Sequence, residues 1–191
     1  MKPLWIGSLC LLAVSDGLLL RWWLKDKQER RFETQIVQAS QRYQVDPALV
    51  KLVIRRESGF NPSARGQAGE IGLMQLRTLA AREWAMAEKI PAISPEHLLD
   101  PTTNTYAGTW YLSKLIRRYR GADDPIRYGL ADYNAGRSNV LRWTRGVAAT
   151  NSEQFLARID FPGTREYVSS ISAAYRKKIS ASSTPAQASI H

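Results

Sequence analysis

A mainly α-helical single domain is predicted for this chain, and three features of the sequence carry the prediction. Asp-Pro stands at Asp46-Pro47, Asp100-Pro101 and Asp124-Pro125, each time ahead of a periodic apolar segment. An aspartate offers its side chain as an N-cap and a proline presets the backbone of the first turn, so each pair marks a helix start. Apolar side chains recur at helical spacing between these starts, and the alternation typical of strands is scarce. With 191 residues there is room for one sizeable core plus appendages.

Taken in order, the chain opens on an apolar run of 17 residues from Leu4 to Leu20, interrupted by Asp16 and Gly17 and followed by Arg21-Trp22-Trp23. Two readings stand for residues 1–24. One is a short membrane anchor with interfacial tryptophans, and the other is a signal segment cut near Ala13-Val14-Ser15. The anchor is preferred, because Lys2 alone supplies a leading charge and the apolar character continues past the cut. Arg21, Lys25, Lys27, Arg30 and Arg31 follow the run, a flank that ordinarily stays cytoplasmic and so conflicts with an exported domain. The single cysteine, Cys10, lies within the run, so no intrachain disulfide can form. Leu9 before it is too large for a lipoprotein cleavage site.

Residues 25–179 are assigned to the helical domain. Phe32, Ile36, Ala39 and Tyr43 give a first helix ending near Tyr43-Gln44. The Asp46-Pro47 helix follows, and Leu76, Ala80 and Trp84 mark a third that is broken by the prolines from Pro91 to Pro95. Gly108, Leu112, Leu115, Ile116 and Tyr119 line a long helix from Pro101 to about Arg120, closed by Gly121. A shorter helix runs from Pro125 towards Asn134 and stops at Gly136, with a further turn at Val140 to Trp143. Tyr167 or Val168, Ile171, Tyr175 and Ile179 stripe the last helix. Ser180 to His191 is rich in Ser and Ala, lacks periodicity, and is expected to be a disordered tail.

One carboxylate sits where helical spacing makes it conspicuous. Counted from Pro47, the side chains of Val50, Val53, Ile54 and Glu57 share one face. Burial among apolar neighbours and the carbonyl ends of a last helical turn both disfavour a negative charge, so both raise the carboxyl pKa. A carboxyl that keeps a proton near neutral pH is what a general acid requires. The plain alternative is a helix-terminal glutamate turned to solvent or paired with Arg55 or Arg56. Gly59, Gly66, Gly69 and Gly72 cluster just after it, as in a loop that closely approaches a ligand.

The blocks Glu57-Ser58-Gly59-Phe60-Asn61-Pro62, Gly69, Gly72-Leu73-Met74-Gln75, Ala131-Asp132-Tyr133-Asn134-Ala135-Gly136 and Thr164-Arg165-Glu166-Tyr167-Val168 resemble, in order and spacing, the lysozyme-like lytic transglycosylases. The resemblance spans roughly residues 33–179. It implies a lysozyme-like multi-helix fold and peptidoglycan glycan strands, which lie outside the cytoplasmic membrane, as substrate. With the first segment read as an anchor, the expected location is the bacterial cell envelope, anchored to the inner membrane with the domain in the periplasm, or exported if that segment is cut; no cofactor is expected. Residue by residue, it makes Glu57 the catalytic acid and then base. Ser58, Met74, Gln75, Tyr133 and Asn134 become substrate-binding residues of the cleft. The glutamate of that family protonates the glycosidic oxygen after N-acetylmuramic acid, and the sugar's own 6-hydroxyl closes onto the anomeric carbon, leaving a 1,6-anhydro end.

Three departures from the family pattern bear on this. Gly163 stands where Glu usually precedes Thr-Arg, which leaves a cleft contact to Asp160 or Glu166 or to nothing. Asp132 and Glu70 replace small residues, and each is a potential second carboxylate of the kind a hydrolase uses. Both are expected to be solvated. A muramidase-type hydrolase and a wall-binding protein without cleavage are therefore the alternatives.

Charge alone selects no partner. Lys and Arg total 27 against 17 Asp and Glu, a net charge of +10, with six Trp and eight Tyr. Such a surface suits nucleic acid, an anionic membrane or an acidic polymer. The basic run Lys114 to Arg120 reads on a helix as a core stripe with one solvated basic face, so nucleic acid is not expected. His97 and His191 are the only histidines, which gives neither a metal cluster nor a nucleophilic Ser-His pair any support.

Overall fold

The structure is a computed structural model that describes residues 26–183. The chain divides into two compact units, Met1–Thr34 and Gln35–His191. The anchor or signal segment, 1–24, lies outside the described residues. Among those described, no helix is long and apolar enough to cross a membrane. In the first unit, residues 26–30 are helical and Arg30 pairs with Asp26 at 2.7 Å.

The second unit is built from helices α1 (Glu33–Tyr43), which starts just before it, α2 (Pro47–Glu57), α3 (Thr78–Ala87), α4 (Pro101–Arg118), α5 (Pro125–Ala135), α6 (Arg137–Trp143), α7 (Ser152–Arg158) and α8 (Pro162–Ser183). Short 3-10 turns occupy Pro95–Leu99 and Gly146–Ala149. Among the described residues the β-structure is confined to the isolated bridges Arg65 to Ile71 and Ile71 to Leu76. All three Asp-Pro starts form as expected. Asp46, Asp100 and Asp124 accept from the backbone N–H of Ala48, Thr103 and Arg127 at 2.7, 2.7 and 3.3 Å.

α5 is the central helix, packed against α4 on one side and α8 on another. Tyr128, Leu130 and Ala131 are wholly buried on it, and Phe155 of α7 stacks on Tyr128 with ring centroids 4.2 Å apart. Burial of a side chain of this size stabilises a fold by about 1.5–3 kcal/mol. The sequence showed no sign of α7, a short helix whose apolar contribution is mainly Phe155. Asn151 caps it by accepting from Gln154 N–H at 2.9 Å.

Several boundaries differ from expectation for identifiable reasons. Leu76 is not in α3 but precedes it, exchanging two 3.0 Å backbone bonds with Ile71. α4 ends at Arg118 rather than Arg120, because Tyr119 leaves the helix to stack on Tyr128 and donate to Asp132. α8 continues to Ser183, so residues 180–183, expected to open a disordered tail, are helical; the rest of that tail lies outside the described residues.

Candidate active site

Glu57 is the last residue of α2, and the face that carries it is apolar: Val50, Val53 and Ile54 are fully buried. Its carboxyl opens into a cavity of about 790 Å³ whose walls also include Glu70, Gln75, Tyr111, Tyr133 and Asn134. Burial pushes the Glu57 pKa up to about 7. The Tyr167 hydroxyl, donating to Oε1 at 2.6 Å, works against that rise, as does the charge of Arg56, while Glu70 adds to it. Arg56 does not pair with Glu57; it lies 3.5 Å from Glu166.

The turn after α2 forms one wall of the cavity and is fixed from beneath. Gly72 has φ +79°, and a Cβ there would collide with Asn104 and the Leu98 carbonyl, so only glycine lets the chain pass. Asn104 of α4 is fully buried and uses both ends of its amide. Its oxygen accepts from Met74 N–H at 2.8 Å, and its nitrogen donates to the carbonyls of Ile71 and Leu98 at 2.8 and 2.9 Å. Gln75 adopts φ +46°, a conformation that a side chain tolerates poorly unless its surroundings impose it. Its amide donates to the carbonyls of Ala64 and Gly72 at 3.1 and 2.9 Å.

Glu57, Gln75, Tyr133 and Asn134 all line the cavity, whereas Met74 and Ser58 do not. The resemblance makes Met74 a substrate-binding residue of the cleft, and the alternative is a methionine that fills a gap in the core. Its side chain is fully buried, its sulfur 3.8 Å from the Thr109 hydroxyl and packed so closely on Gly108 that any Cβ there would strike it. What Met74 contributes is its carbonyl, which accepts from the Tyr133 hydroxyl at 2.7 Å. The Ser58 hydroxyl is likewise occupied, donating to the Leu73 carbonyl at 2.7 Å. Asn134 lies at the end of α5, where its side-chain oxygen accepts from Thr164 at 2.7 Å.

The two extra carboxylates behave differently from one another. Asp132 was expected to be solvated and is 2 % exposed, its Oδ2 held by Arg118 at 2.6 Å and by the Tyr119 hydroxyl at 2.7 Å. Glu70 is half-buried on the cavity wall and accepts from Ala68 N–H at 3.0 Å. Neither replacement suggested for the missing glutamate at Gly163 serves: Asp160 bonds Arg142 and Trp143, and Glu166 is mostly exposed beside Arg56.

Sequence reasoning missed three groups at this site. Tyr167 was assigned to the core stripe of α8; its place in the last motif block was the signal that it does more. Tyr111 lines the cavity and leans on Tyr133 with centroids 5.7 Å apart. Asn104 gave no signal beyond an amide on an otherwise apolar helical face.

Chemically, the arrangement sets one carboxyl that carries a proton near neutral pH against a polar wall inside a roomy cleft. The transglycosylase SLT domain family matches residues 34–156 of this chain. The membrane-bound lytic murein transglycosylase C of Klebsiella pneumoniae subsp. pneumoniae is 37% identical over 123 residues, covering 61% of this chain and 34% of that protein. A putative soluble lytic murein transglycosylase of Haemophilus influenzae is 29% identical over 165 residues, covering 85% of this chain and 27% of that protein. Among solved structures, an inactive glutamate-to-glutamine mutant of the lytic transglycosylase Slt from Pseudomonas aeruginosa superposes with a TM-score of 0.68 at 27% identity, over 78% of this chain and 24% of that one. The chain thus spans about a quarter to a third of the length of the relatives it matches.

Proposed function

The chain belongs to the transglycosylase SLT domain family, and from that premise we propose that it is a lytic transglycosylase cleaving the glycan strands of peptidoglycan, with Glu57 as acid and then base. The observation that carries this reading is the Glu57 carboxyl, buried in the cavity wall with its pKa raised to about 7 and held by the Tyr167 hydroxyl.

In the proposed reaction, protonated Glu57 gives its proton to the glycosidic oxygen between N-acetylmuramic acid and N-acetylglucosamine, and the C1–O bond breaks. The muramyl acetamido group stabilises the cationic C1. Glu57, now a carboxylate, takes the proton from the 6-hydroxyl of the same sugar, and O6 bonds to C1. The proton returns to the residue that gave it, and no water is consumed. Gln75, Tyr133 and Asn134 hold the sugars against the cavity wall, an entropic advantage that an intramolecular attack exploits fully. Ser58 and Met74 act through the backbone they brace. No cofactor or metal enters the reaction.

Two further facts support a single working carboxylate. Asp132 is occupied by Arg118 and Tyr119 and is poorly placed to serve as a base. The Pseudomonas relative described as inactive differs by a glutamate-to-glutamine change, the kind that would strip Glu57 of its transferable proton. Glu70 favours a second reading, because it lines the cavity and its charge is felt by Glu57. With Glu70 as base for a water molecule, the protein would be a muramidase-type hydrolase.

Digestion of purified sacculi followed by mass analysis separates these readings. Anhydro-muramyl ends are expected; reducing ends alone would transfer the assignment to hydrolysis, and binding without soluble fragments would make the protein a wall-binding module. We place the domain at the bacterial cell envelope, on the periplasmic side of the cytoplasmic membrane, where this substrate lies. Protection of the domain from protease in spheroplasts with an intact membrane would overturn that placement.

A further inference from the structure

The edge of the cavity next to α3 carries a charge that the protein itself does not use. Among the described residues lining the cavity, Arg77 is the basic one, set against Glu57, Glu70, Glu83 and Asp132. Two of those acids already have partners, Glu83 with Lys114 and Asp132 with Arg118. The bridge between Ile71 and Leu76 puts Glu70 and Arg77 across from each other in the chain, yet the Glu70 carboxylate turns back onto Ala68 N–H at 3.0 Å. Arg77 precedes α3 without capping it through its side chain, and its guanidinium is exposed with no ion pair among the described residues.

Its backbone, by contrast, is fixed. The neighbouring Leu76 is buried and doubly bonded to Ile71, so the guanidinium swings from a rigid mount. Two residues further along the same wall, Leu79 is 71 % exposed and also lines the cavity. A large apolar side chain left open at a cavity edge, beside an unpaired cation, matches a ligand that is apolar in part and anionic in part. The glycan backbone of the proposed substrate is uncharged along its sugar ring faces; its peptide stems carry carboxylates and methyl groups together.

We propose that Arg77 and Leu79 form a specificity-determining edge that engages the carboxylate-bearing peptide stem of the strand being cleaved. This deepens the glycan-cleaving reading and rests on it for the nature of the substrate. Arg77 supplies the charge and Leu79 the apolar contact. Glu57 and the α5 wall handle the sugars. The contact is open to solvent, so it raises affinity modestly and weakens with salt.

The test measures binding with the full chain carrying Glu57→Gln, so that chemistry plays no part. Three probes are used: soluble glycan strands with stems, the same strands with stem carboxylates converted to carboxamides, and strands stripped of stems by an amidase, which leaves a lactyl carboxylate on the sugar. Added Arg77→Gln is expected to weaken binding to stem-bearing strands about three- to fivefold at low salt, the size of an exposed charge pair. The difference should vanish on carboxamide strands, and Arg77→Lys should restore most of the affinity. Leu79→Ser should weaken binding to both stem-bearing forms and leave stripped strands unaffected.

Equal affinity of the parent and Arg77→Gln proteins for stem-bearing strands would overturn the proposal. So would an undiminished Arg77 effect on stripped strands, which would assign the anion to the lactyl carboxylate. In active protein, Arg77→Gln should act on KM and leave kcat within about twofold, as expected of uniform binding. A wild-type protein that yields no anhydro ends, yet shows the Arg77 effect on binding, would defeat the cleavage reading while leaving this edge in place.

Discussion

Glu57 and Asp132 both line the cavity, and they stand in opposite surroundings. Asp132, on the central helix α5, faces a guanidinium and a phenol from the C-terminal end of α4. Glu57, at the end of α2, faces apolar side chains and the Tyr167 phenol. A carboxylate matched to a cation braces two helices together. Burial instead lets the Glu57 carboxyl hold a proton up to about pH 7, against the Tyr167 hydroxyl and the charge of Arg56. One cavity therefore holds an acid that braces the fold and an acid that can carry a proton.

Replacing each in turn should expose the contrast. Glu57→Gln is expected to lower kcat by about 10²- to 10⁴-fold, the usual contribution of a positioned general acid, measured as release of soluble fragments from sacculi. An active Glu57→Gln protein would end the proposed mechanism. Asp132→Ala is expected to cost about 3 kcal/mol of stability by stranding Arg118 and Tyr119, seen as a lower denaturant midpoint. No loss would mean that solvent already satisfies Arg118.

At Glu57 the stability effect should run the other way. The native carboxyl releases its proton near pH 7, whereas an unfolded one does so near 4.5. Between those values the native state binds more protons than the unfolded state, so stability falls as pH rises through the window. Glu57→Gln is therefore expected to raise stability by about 3 kcal/mol at pH 8 and to leave it unchanged near pH 4. Thermal melts at the two pH values would show it, and equal melting temperatures at pH 8 would mean that the carboxyl is freely solvated. Catalysis should mirror this, with activity declining above pH 7 as Glu57 loses the proton it must donate. The smallest effect belongs to Tyr167→Phe. Its hydroxyl favours the ionised carboxyl, so its removal should move the alkaline limb of the pH–rate profile upward by about one unit or less. A downward shift would show that the phenol holds the neutral acid.

The place of Glu57 was legible because helical spacing and an Asp-Pro start are local facts, and both survived folding intact. The resemblance likewise led to the family, and the solved relative with its TM-score of 0.68 supports the lysozyme-like helical fold that it implied. The fate of Asp132 was not legible, since its partners Arg118 and Tyr119 come from another helix and nothing local announces the pairing. Met74 and Tyr133 carry a related lesson. A motif marks both residues alike, but only the folded backbone reveals that one gives its carbonyl and the other its phenol. Tyr167 was hidden by its own regularity, because a tyrosine on an apolar stripe reads as packing until the carboxyl it faces is known.

Asn104 links segments that are far apart along the chain, the turn beneath Gln75, the 3-10 turn at Leu98 and helix α4, through three bonds of one side chain. The floor of the cavity thus has no independent life. It can neither loosen nor drift without pulling a buried amide out of its sockets. Any change in the shape of this cavity would have to begin at its rim and leave the foundation as it is.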